Sequence, residues 1–318
     1  MRRISTATKV VDKWGPGKPG FTDGNAVTGI PATDLEAQFF DSVQEELCGV
    51  VEAAGLTADG SSMAQVLAAI RVLSTGVVGS VRRGRMTIAA ASASATYQAD
   101  ELVVASALGD QAYRLASVNS TINLATVGAG GMDVGAAPAN GYVALYEIYN
   151  PTTKTRALLG VNATAAVAPQ VYGGANMPAG YTASALVSVW PTNGSGQFVP
   201  GGLRDRRHSL VASGGFTTAT VQTSFTSVAL SGVPMNAVRV LGNMQCLTSA
   251  ANITQIFSVA SDAIGSGSKS NVATTVVANN GTSVPVDLEV YTPQTLWYKA
   301  TNGGGTPSYS LSVFAYDI

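Results

Sequence analysis

Apolar residues recur at steps of three and four along residues 33–56, which is the spacing of one face of an α-helix. The stripe contains Leu35, Phe39, Phe40, Val43, Leu47, Val50, Val51 and Ala54. Thr33 and Glu36 have the spacing of a capping box, in which each side chain binds the backbone amide of the other residue. Gly55 suits the left-handed conformation that ends many helices. The pattern therefore predicts an amphipathic helix that starts at Thr33 and ends at Gly55.

A second, shorter apolar stripe follows in residues 62–73. It consists of Met63, Val66, Leu67, Ile70 and Leu73. Ser62 and Gln65 repeat the capping-box spacing, so we expect two helices packed as an αα-hairpin over residues 33–76. A hairpin of about 40 residues is too small to bury this much apolar surface alone, and we expect it to pack against copies of itself or another protein.

From Met86 onward the pattern changes to short alternating runs separated by glycine, proline and asparagine, which is typical of antiparallel strands. The candidate strands before residue 208 are ELVVASAL, QAYRLASV, TINLATV, YVALYEIYN, RALLGV and ALVSVWP. Those after it are TATVQTSFTSVAL, AVRVLGNMQCL, ITQIFSVAS, ATTVVAN, VPVDLEVYT, TLWYKAT and SYSLSVFAYDI. We therefore expect a mainly β protein with a small N-terminal α-helical hairpin and two successive antiparallel β-sandwich-like domains.

These patterns divide the chain into five segments. Glycines and prolines make residues 1–32 an extended N-terminal arm, and residues 33–76 hold the helical hairpin. Residues 77–85 are interpreted as a linker, residues 86–207 as the middle β domain and residues 208–318 as a C-terminal β-sandwich that forms the tip.

Charge is scarce in this chain, since only 12% of its 318 residues are charged. Small polar residues and 35 glycines take their place, which suits turn-rich β domains and subunits that cover one another. A net charge of -1 argues against a nucleic-acid partner, because such binding needs many clustered Lys and Arg. The two dense basic runs, Arg82–Arg85 and Arg204–His208, are interpreted as solvated linker charge.

No stretch of the sequence is predicted to insert into a membrane. The long uncharged segment 160–203 is interrupted by prolines and glycines. The first residues, MRRISTATKVVDKW, lack the apolar segment of a signal peptide, so we expect the protein to be made in the cytoplasm. Cys48 and Cys246 are expected to be buried thiols rather than a disulfide.

The sequence offers little catalytic chemistry. Its one histidine, His208, lies in a charged segment, and no cluster of Cys, His or carboxylates suggests zinc. The run GSGSKS lacks the spacing of a phosphate-binding loop. Asp287 and Glu289 alternate with apolar residues on one strand face, which favours an ordinary polar face over a pair of glycosidase carboxylates. We therefore expect no enzyme activity, no cofactor and no metal.

The segment VYTPQTLWYKA has the densest mixture of aromatic and polar residues in the chain. Flat aromatic rings stack on sugars while carboxylates bind sugar hydroxyls, so this segment is a candidate glycan platform. The residues of this candidate receptor-binding site are Asp287, Glu289, Tyr291, Trp297 and Tyr298. Aromatic residues in strands also build cores, and this second interpretation stays open.

Several motifs resemble proteins of tailed bacteriophages. The span PGKPGFTDGN…GIPATDLEAQFFDSVQEELCGVVEAAGLTADG…QVLAAI, in residues 14–73, resembles the N-terminal module of tail-fibre and baseplate-associated proteins. The segments PANGYVALYEIYNPTT and ATAAVAPQVYGGANMPAGYTASALVSVWPTNGSGQF, within residues 86–207, are similar to a β domain of phage tail proteins. The ending SLSVFAYDI is similar to strands that close fibre tips, although the repetitive shaft of long fibres is missing.

The resemblance implies a homotrimeric virion protein, made in the host cytoplasm. Its N-terminal part would attach to other tail or baseplate proteins, and its C-terminal part to a host surface glycan, pilus or outer-membrane receptor. The side chains expected at the anchoring and trimer interface are Leu35, Phe39, Phe40, Val43, Leu47 and Val51. Two alternatives stay open, namely a purely structural baseplate or tail-tip protein and a glycan-cleaving tailspike.

Overall fold

The computed structural model describes residues 2–73 and 76–318 and contains two compact units, Met1–Thr75 and Gly76–Ile318. The first unit holds the helices α1 (Ala37–Ala53) and α2 (Gln65–Leu73). The second holds the strands β1 (Val81–Arg82), β2 (Arg85–Ile88), β3 (Ser94–Ala105), β4 (Ala112–Asn123), β5 (Tyr142–Asn150), β6 (Thr155–Asn162), β7 (Ala183–Pro191), β8 (Gly201–Arg204), β9 (Arg207–Thr218), β10 (Gln222–Ala229), β11 (Arg239–Thr248), β12 (Ile253–Ala260), β13 (Lys269–Thr275), β14 (Thr282–Glu289), β15 (Thr295–Asn302) and β16 (Pro307–Asp317). The prediction of a mainly β protein with a helical hairpin and antiparallel sheets is confirmed.

The first predicted capping box does not form, and α1 begins later than the sequence suggested. The Thr33 hydroxyl accepts a hydrogen bond from the Thr22 amide at 2.9 Å and donates to the Thr8 carbonyl at 3.3 Å. The Glu36 carboxylate accepts hydrogen bonds from the amide and hydroxyl of Ser5, at 2.8 and 3.0 Å. Both side chains therefore bind the N-terminal segment instead of each other.

The N-terminal segment itself is a set of tight turns and not a continuous extended arm. Antiparallel bridges join Val10 to Gly20 and Asn25 to Ile30. Each bridge is closed by two backbone hydrogen bonds of 2.7–3.0 Å. These local loops bring the hydroxyls and amides of the segment to the start of α1, where they meet its polar side chains.

The ends of the hairpin loop also differ partly from expectation. Gly55 follows α1 with a φ of 73°, as predicted for a helix stop. The second capping box is wrong, because the Gln65 side-chain oxygen accepts from the Asp59 amide at 2.7 Å. The Gln65 side-chain amide donates to the Ser62 carbonyl at 3.0 Å, so Gln65 fastens the loop to α2 rather than capping in exchange with the Ser62 amide.

The β unit is built on one large antiparallel sheet of twelve strands, with a second sheet of four strands. The large sheet has the order β14-β11-β16-β9-β8-β2-β3-β7-β5-β6, and β1 and β4 pair with β3. The smaller sheet has the order β10-β15-β12-β13. The boundary predicted between residues 207 and 208 lies at the start of β9, which pairs with β8 on one side and β16 on the other. The two expected domains therefore share a single hydrogen-bonded sheet.

Apolar side chains nevertheless gather into separate cores along this sheet. One core lies within residues 86–203 and includes Trp190, Tyr97 and Phe198. Another lies between the large and the small sheet and is rich in rings, such as Phe257 packed against Tyr309 at 5.3 Å between centroids. The second arrangement is that of a β-sandwich, in which the inner faces of two sheets enclose the core.

An aromatic junction, formed by Trp190, His208 and Tyr316, links the two halves of the β unit. The His208 ring stacks on Tyr316 at 4.9 Å and meets Trp190 edge-on at 4.1 Å. The Tyr316 hydroxyl donates a 2.6 Å hydrogen bond to the Val189 carbonyl. Since these side chains come from β7, β9 and β16, the junction joins strands that the sequence assigned to different domains.

Two segments that the sequence suggested to be loops contribute strands. The expected linker 77–85 contains β1 and the first residue of β2. The GSGSKS loop ends in β13, which therefore starts earlier than the ATTVVAN run predicted. Neither helix in the described residues is both long and apolar enough to span a membrane.

Candidate ligand-binding surface

A shallow depression of about 250 Å³ lies beside the end of β14. Its lining residues are Arg239, Ser261, Gly267, Lys269, Asp287, Leu288, Glu289 and Tyr291. Three of the five residues predicted for receptor binding, Asp287, Glu289 and Tyr291, therefore lie together. The Tyr291 ring is 63% exposed, so one of its faces is open to a ligand.

Arg239 organises the acidic side of the depression from the neighbouring strand β11. Its guanidinium contacts both carboxylate oxygens of Asp287, with a Nε–Oδ1 distance of 2.5 Å. The Nε atom also lies 3.9 Å from Oε1 of Glu289, the residue directly opposite Arg239 in the strand register. The hydrogen bond from Arg239 lowers the pKa of the Asp287 carboxyl, so this group stays ionised.

The mixture of groups in the depression suits a ligand rich in hydroxyls. Carboxylates accept hydrogen bonds from hydroxyls, while Arg239 and Lys269 donate them. The exposed Tyr291 ring offers an apolar surface beside these polar groups. Sugars present this combination of hydroxyl edges and apolar ring faces.

Trp297 and Tyr298 do not belong to the depression. Consecutive residues of a strand point to opposite faces, and in β15 this alternation sends Tyr298 into the core, where it is 5% exposed and packs near Phe216. Its assignment to a receptor-binding surface is therefore wrong. Trp297 lies half-buried on the outer face of the four-stranded sheet, where Lys299 sits 5.3 Å over the Phe225 ring.

The interface residues predicted on α1 fall into three groups. Leu35, Phe40 and Leu47 are exposed in the single chain. Phe39 and Val43 are half-buried, and Phe39 packs edge-on against Phe21, as the N-terminal segment covers it. Val51 is 3% exposed within its own unit, so its assignment to an interface with other chains is wrong.

The outer stripe of α2 is also uncovered. Met63, Leu67, Ile70 and Leu73 are exposed, whereas Ala69 is completely buried. The hairpin therefore closes over small side chains and leaves most of the larger ones in solvent. We call the exposed residues Phe40 and Leu47 of α1, Leu67 and Ile70 of α2, and Leu35 just before α1 the helical apolar face.

A glutamate and a histidine are among the titratable side chains enclosed in the β unit. Glu147 on β5 is fully buried, and its Oε1 accepts a 2.6 Å hydrogen bond from the Ser120 hydroxyl. Burial raises the pKa of Glu147 to about 8. Burial also lowers the pKa of His208 to about 3. Because neither side chain lines a pocket, both are expected to affect stability and not ligand binding.

Among residues 2–73 and 76–318, no group of three or more His, Cys, Asp or Glu is placed to hold a metal.

Sequence reasoning missed Arg239. Arg239 is the one polar residue of the apolar run AVRVL, and a charged side chain within such a strand is expected to point outward to solvent. Its pairing with Asp287 depends on β11 lying next to β14, and a contact over this sequence distance left no local signal.

No family model matches the chain. A stretch of 73 residues is 53% identical to the uncharacterized protein StfP of Escherichia coli K12. This stretch covers 23% of the present chain and 35% of StfP, so the match spans about a third of that relative's length.

Among solved structures, the infectious bursal disease virus Gt strain is similar at a TM-score of 0.23 and 12% identity, over 76% of this chain and 70% of that chain. The VP2 subviral particle of the same virus gives a TM-score of 0.19 and 11% identity over the same shares. Scores this low carry no argument about fold or function.

Proposed function

We propose that this chain is a tail-fibre-type virion protein of a tailed bacteriophage, attached to the particle through its helical unit and to the host cell through its β unit. The observation that carries the proposal is the difference between the surfaces of the two units. The helical unit exposes the helical apolar face, whereas the β unit exposes a charged depression with an open tyrosine ring. The resemblance of residues 14–73 and 86–207 to phage tail proteins supports the same assignment.

Copies of this chain are the proposed cover of the helical apolar face. On α1, the residues Phe40, Val43, Leu47 and Val50 follow one another at steps of three, four and three, as in helices that pack side by side. An apolar row of this length left in water promotes association. A homotrimer would bury three equivalent rows around one axis and leave other surfaces for tail proteins.

Replacing Phe40 and Leu47 with serine is expected to break this assembly. The wild-type chain should sediment at three times its mass of 32.3 kDa, and F40S/L47S should sediment as a monomer. Substituting two exposed residues on another side of α1, in E45S/E52S, should leave the trimer intact. A monomeric wild-type chain, or a trimer that survives F40S/L47S, would contradict the proposed assembly.

The depression beside β14 is the proposed contact with a host glycan. We propose binding without cleavage, in which Asp287 and Glu289 accept hydrogen bonds from sugar hydroxyls and Tyr291 packs on a ring face. Because β9 and β16 pair across the expected domain boundary, deletion of residues 208–318 would expose sheet edges. Point substitutions in the intact chain are therefore the better test.

The double variant D287N/Y291A is expected to lose about tenfold or more of its binding to whole host bacteria, measured with fluorescently labelled protein. The control D110N/F314A changes an exposed acid and an exposed aromatic outside the depression and should bind normally. Binding unaffected by D287N/Y291A would remove the depression as the contact. No binding by the wild type would favour a purely structural tail protein, and released sugar would favour a tailspike.

A further inference from the structure

The two arginine-rich runs interpreted as linker charge meet on the outer face of the large sheet. Arg85 on β2 lies directly opposite Arg204 on β8, and Arg204 lies directly opposite Arg207 on β9. More than a hundred residues separate the two runs in the sequence, and strand pairing brings them side by side. We call Arg85, Arg204 and Arg207 the arginine row.

The arginine row faces solvent, because the residue that follows or precedes each arginine along its strand is buried in the core. Met86 and Leu203 are buried neighbours of two of these arginines. Since side chains alternate along a strand, the arginines themselves project from the opposite, outer face. All three arginines, Arg85, Arg204 and Arg207, are exposed.

The arginines are incompletely paired. Arg207 makes a bidentate contact with Asp317, with distances of 2.7 and 2.8 Å. Arg85 donates one hydrogen bond, from Nε to the Gln98 side-chain oxygen at 3.0 Å. The Arg204 side chain has no hydrogen-bond or ion-pair partner among the described residues. The middle of the row is therefore a guanidinium whose donors are all free.

Three like charges at directly opposed positions repel one another. Neighbouring strands lie about 4.8 Å apart, so the row extends about 10 Å across the sheet. Like charges opposite each other destabilise a strand pair, and Asp317 relieves only one end of this row. A bound anion would relieve the rest, and the planar guanidinium fork suits carboxylate, sulfate and phosphate groups.

A flat shelf lies beside the row on the same face. Thr87, Gly202 and Ser209 are opposite one another on the same three strands, two residues along from the arginines. A Cβ atom added to Gly202 would meet nothing within 4 Å, so the space above the shelf is open. The hydroxyls of Thr87 and Ser209 are exposed at its two sides. An extended chain can lie across the shelf with its anionic groups on the arginines.

We propose that the arginine row and its shelf bind an anionic polysaccharide, with carboxylate, sulfate or phosphate groups placed on Arg85 and Arg204. Hydroxyl-bearing sugar rings fit a shelf edged by Thr87 and Ser209. Nucleic acid fits less well, because no aromatic side chain among the residues of the row or shelf offers a stacking platform, and the whole chain carries a net charge of -1. The row ends two strands from Arg239 of the depression beside β14, since Arg207 lies opposite Asp317 and Asp317 lies opposite Arg239. The substitutions tested below leave the residues of that depression unchanged.

The test uses the full chain with dextran sulfate and uncharged dextran of equal length as probes. The wild type should bind dextran sulfate and not dextran. R85Q/R204Q should bind dextran sulfate about tenfold or more weakly, since two charge-assisted contacts are lost. R114Q/K154Q, which removes two positive charges from elsewhere on the β unit, should bind as the wild type does. An equal loss in both double variants would overturn the proposal.

Gly202 provides a second test that leaves every arginine in place. G202E adds a carboxylate at the centre of the shelf, beside Arg204, and should abolish binding of dextran sulfate, whereas G202A should retain it. Both variants should unfold at the wild-type temperature, because the added atoms enter open space. Retained binding by G202E would overturn the placement of the ligand. Binding of an oligothymidylate as tight as that of dextran sulfate would overturn the assignment to glycans.

Discussion

The wild-type protein is expected to lose about 4 kcal/mol of its free energy of unfolding as the pH rises from 4.5 to 8. Replacing Glu147 with glutamine should remove this loss. Burial raises the pKa of Glu147 from its ordinary value of 4.5 to about 8, while the Ser120 hydrogen bond and the charge of Arg156 oppose the rise only in part. Between these two pH values the folded state holds a proton that the unfolded state releases. The corresponding stability is therefore complete below pH 4.5 and is lost as the pH rises to 8.

Chemical denaturation of wild type and E147Q at several pH values measures this effect directly. The advantage of E147Q over the wild type should grow by about 4 kcal/mol across the range, because glutamine keeps an acceptor for Ser120 and carries no charge. E101Q, which changes a glutamate on the same sheet whose side chain is only half-buried, should follow the wild type. A constant difference between E147Q and the wild type would mean that Glu147 ionises in the folded protein over the same pH range as in the unfolded chain, and that burial does not raise its pKa.

Replacing His208 with phenylalanine is expected to remove an acid-induced loss of about 3 kcal/mol between pH 6.5 and pH 4. Burial in the aromatic junction lowers the pKa of His208 from 6.5 to about 3. Neither ring nitrogen has a hydrogen-bond partner among the described residues, so no acceptor stabilises the protonated ring. The unfolded state binds a proton first, and stability falls as the pH drops below 6.5.

Since His208 is the one histidine of the chain, the slope of stability against pH between 6.5 and 4 can be assigned to it by comparison with H208F. Phenylalanine keeps a ring for stacking on Tyr316, so the comparison concerns the slope and not the absolute stability. The two curves should diverge as the pH falls. Parallel curves would show that the ring is already protonated, or accessible to water, in the folded state.

The elements of this fold could be predicted from the sequence wherever the signal is local. The three- and four-residue steps found both helices, and alternation found nearly all the long strands. The start of α1 was wrong, because Thr33 and Glu36 bind Thr8 and Ser5 of the N-terminal segment. Capping-box spacing describes only local partners, and here distant partners compete successfully for the same side-chain oxygens.

The candidate binding surfaces could likewise be predicted only where their residues lie close together in the sequence. Asp287, Glu289 and Tyr291 could be grouped because they share one strand end, and alternation alone was sufficient to separate Trp297 from Tyr298. The arginine row could not be found, because it requires β2 to pair with β8. Glycines near Arg204 and after His208 suggested a linker. In the structure, Gly215 has a φ of 115° and allows close approach of β16, since a Cβ there would overlap the Leu311 carbonyl.

The position of β16 in the large sheet has a consequence for the order of folding. This strand, which follows all the others in sequence, lies between β9 and β11 and pairs with both. Until residues 307–317 emerge from the ribosome, β9 and β11 each keep an open edge with unpaired amides and carbonyls. Such edges invite pairing between nascent chains, and the long sequence separation slows correct closure. The interval in which β9 and β11 exist and β16 does not is therefore the one in which mispairing of these edges competes most with correct folding.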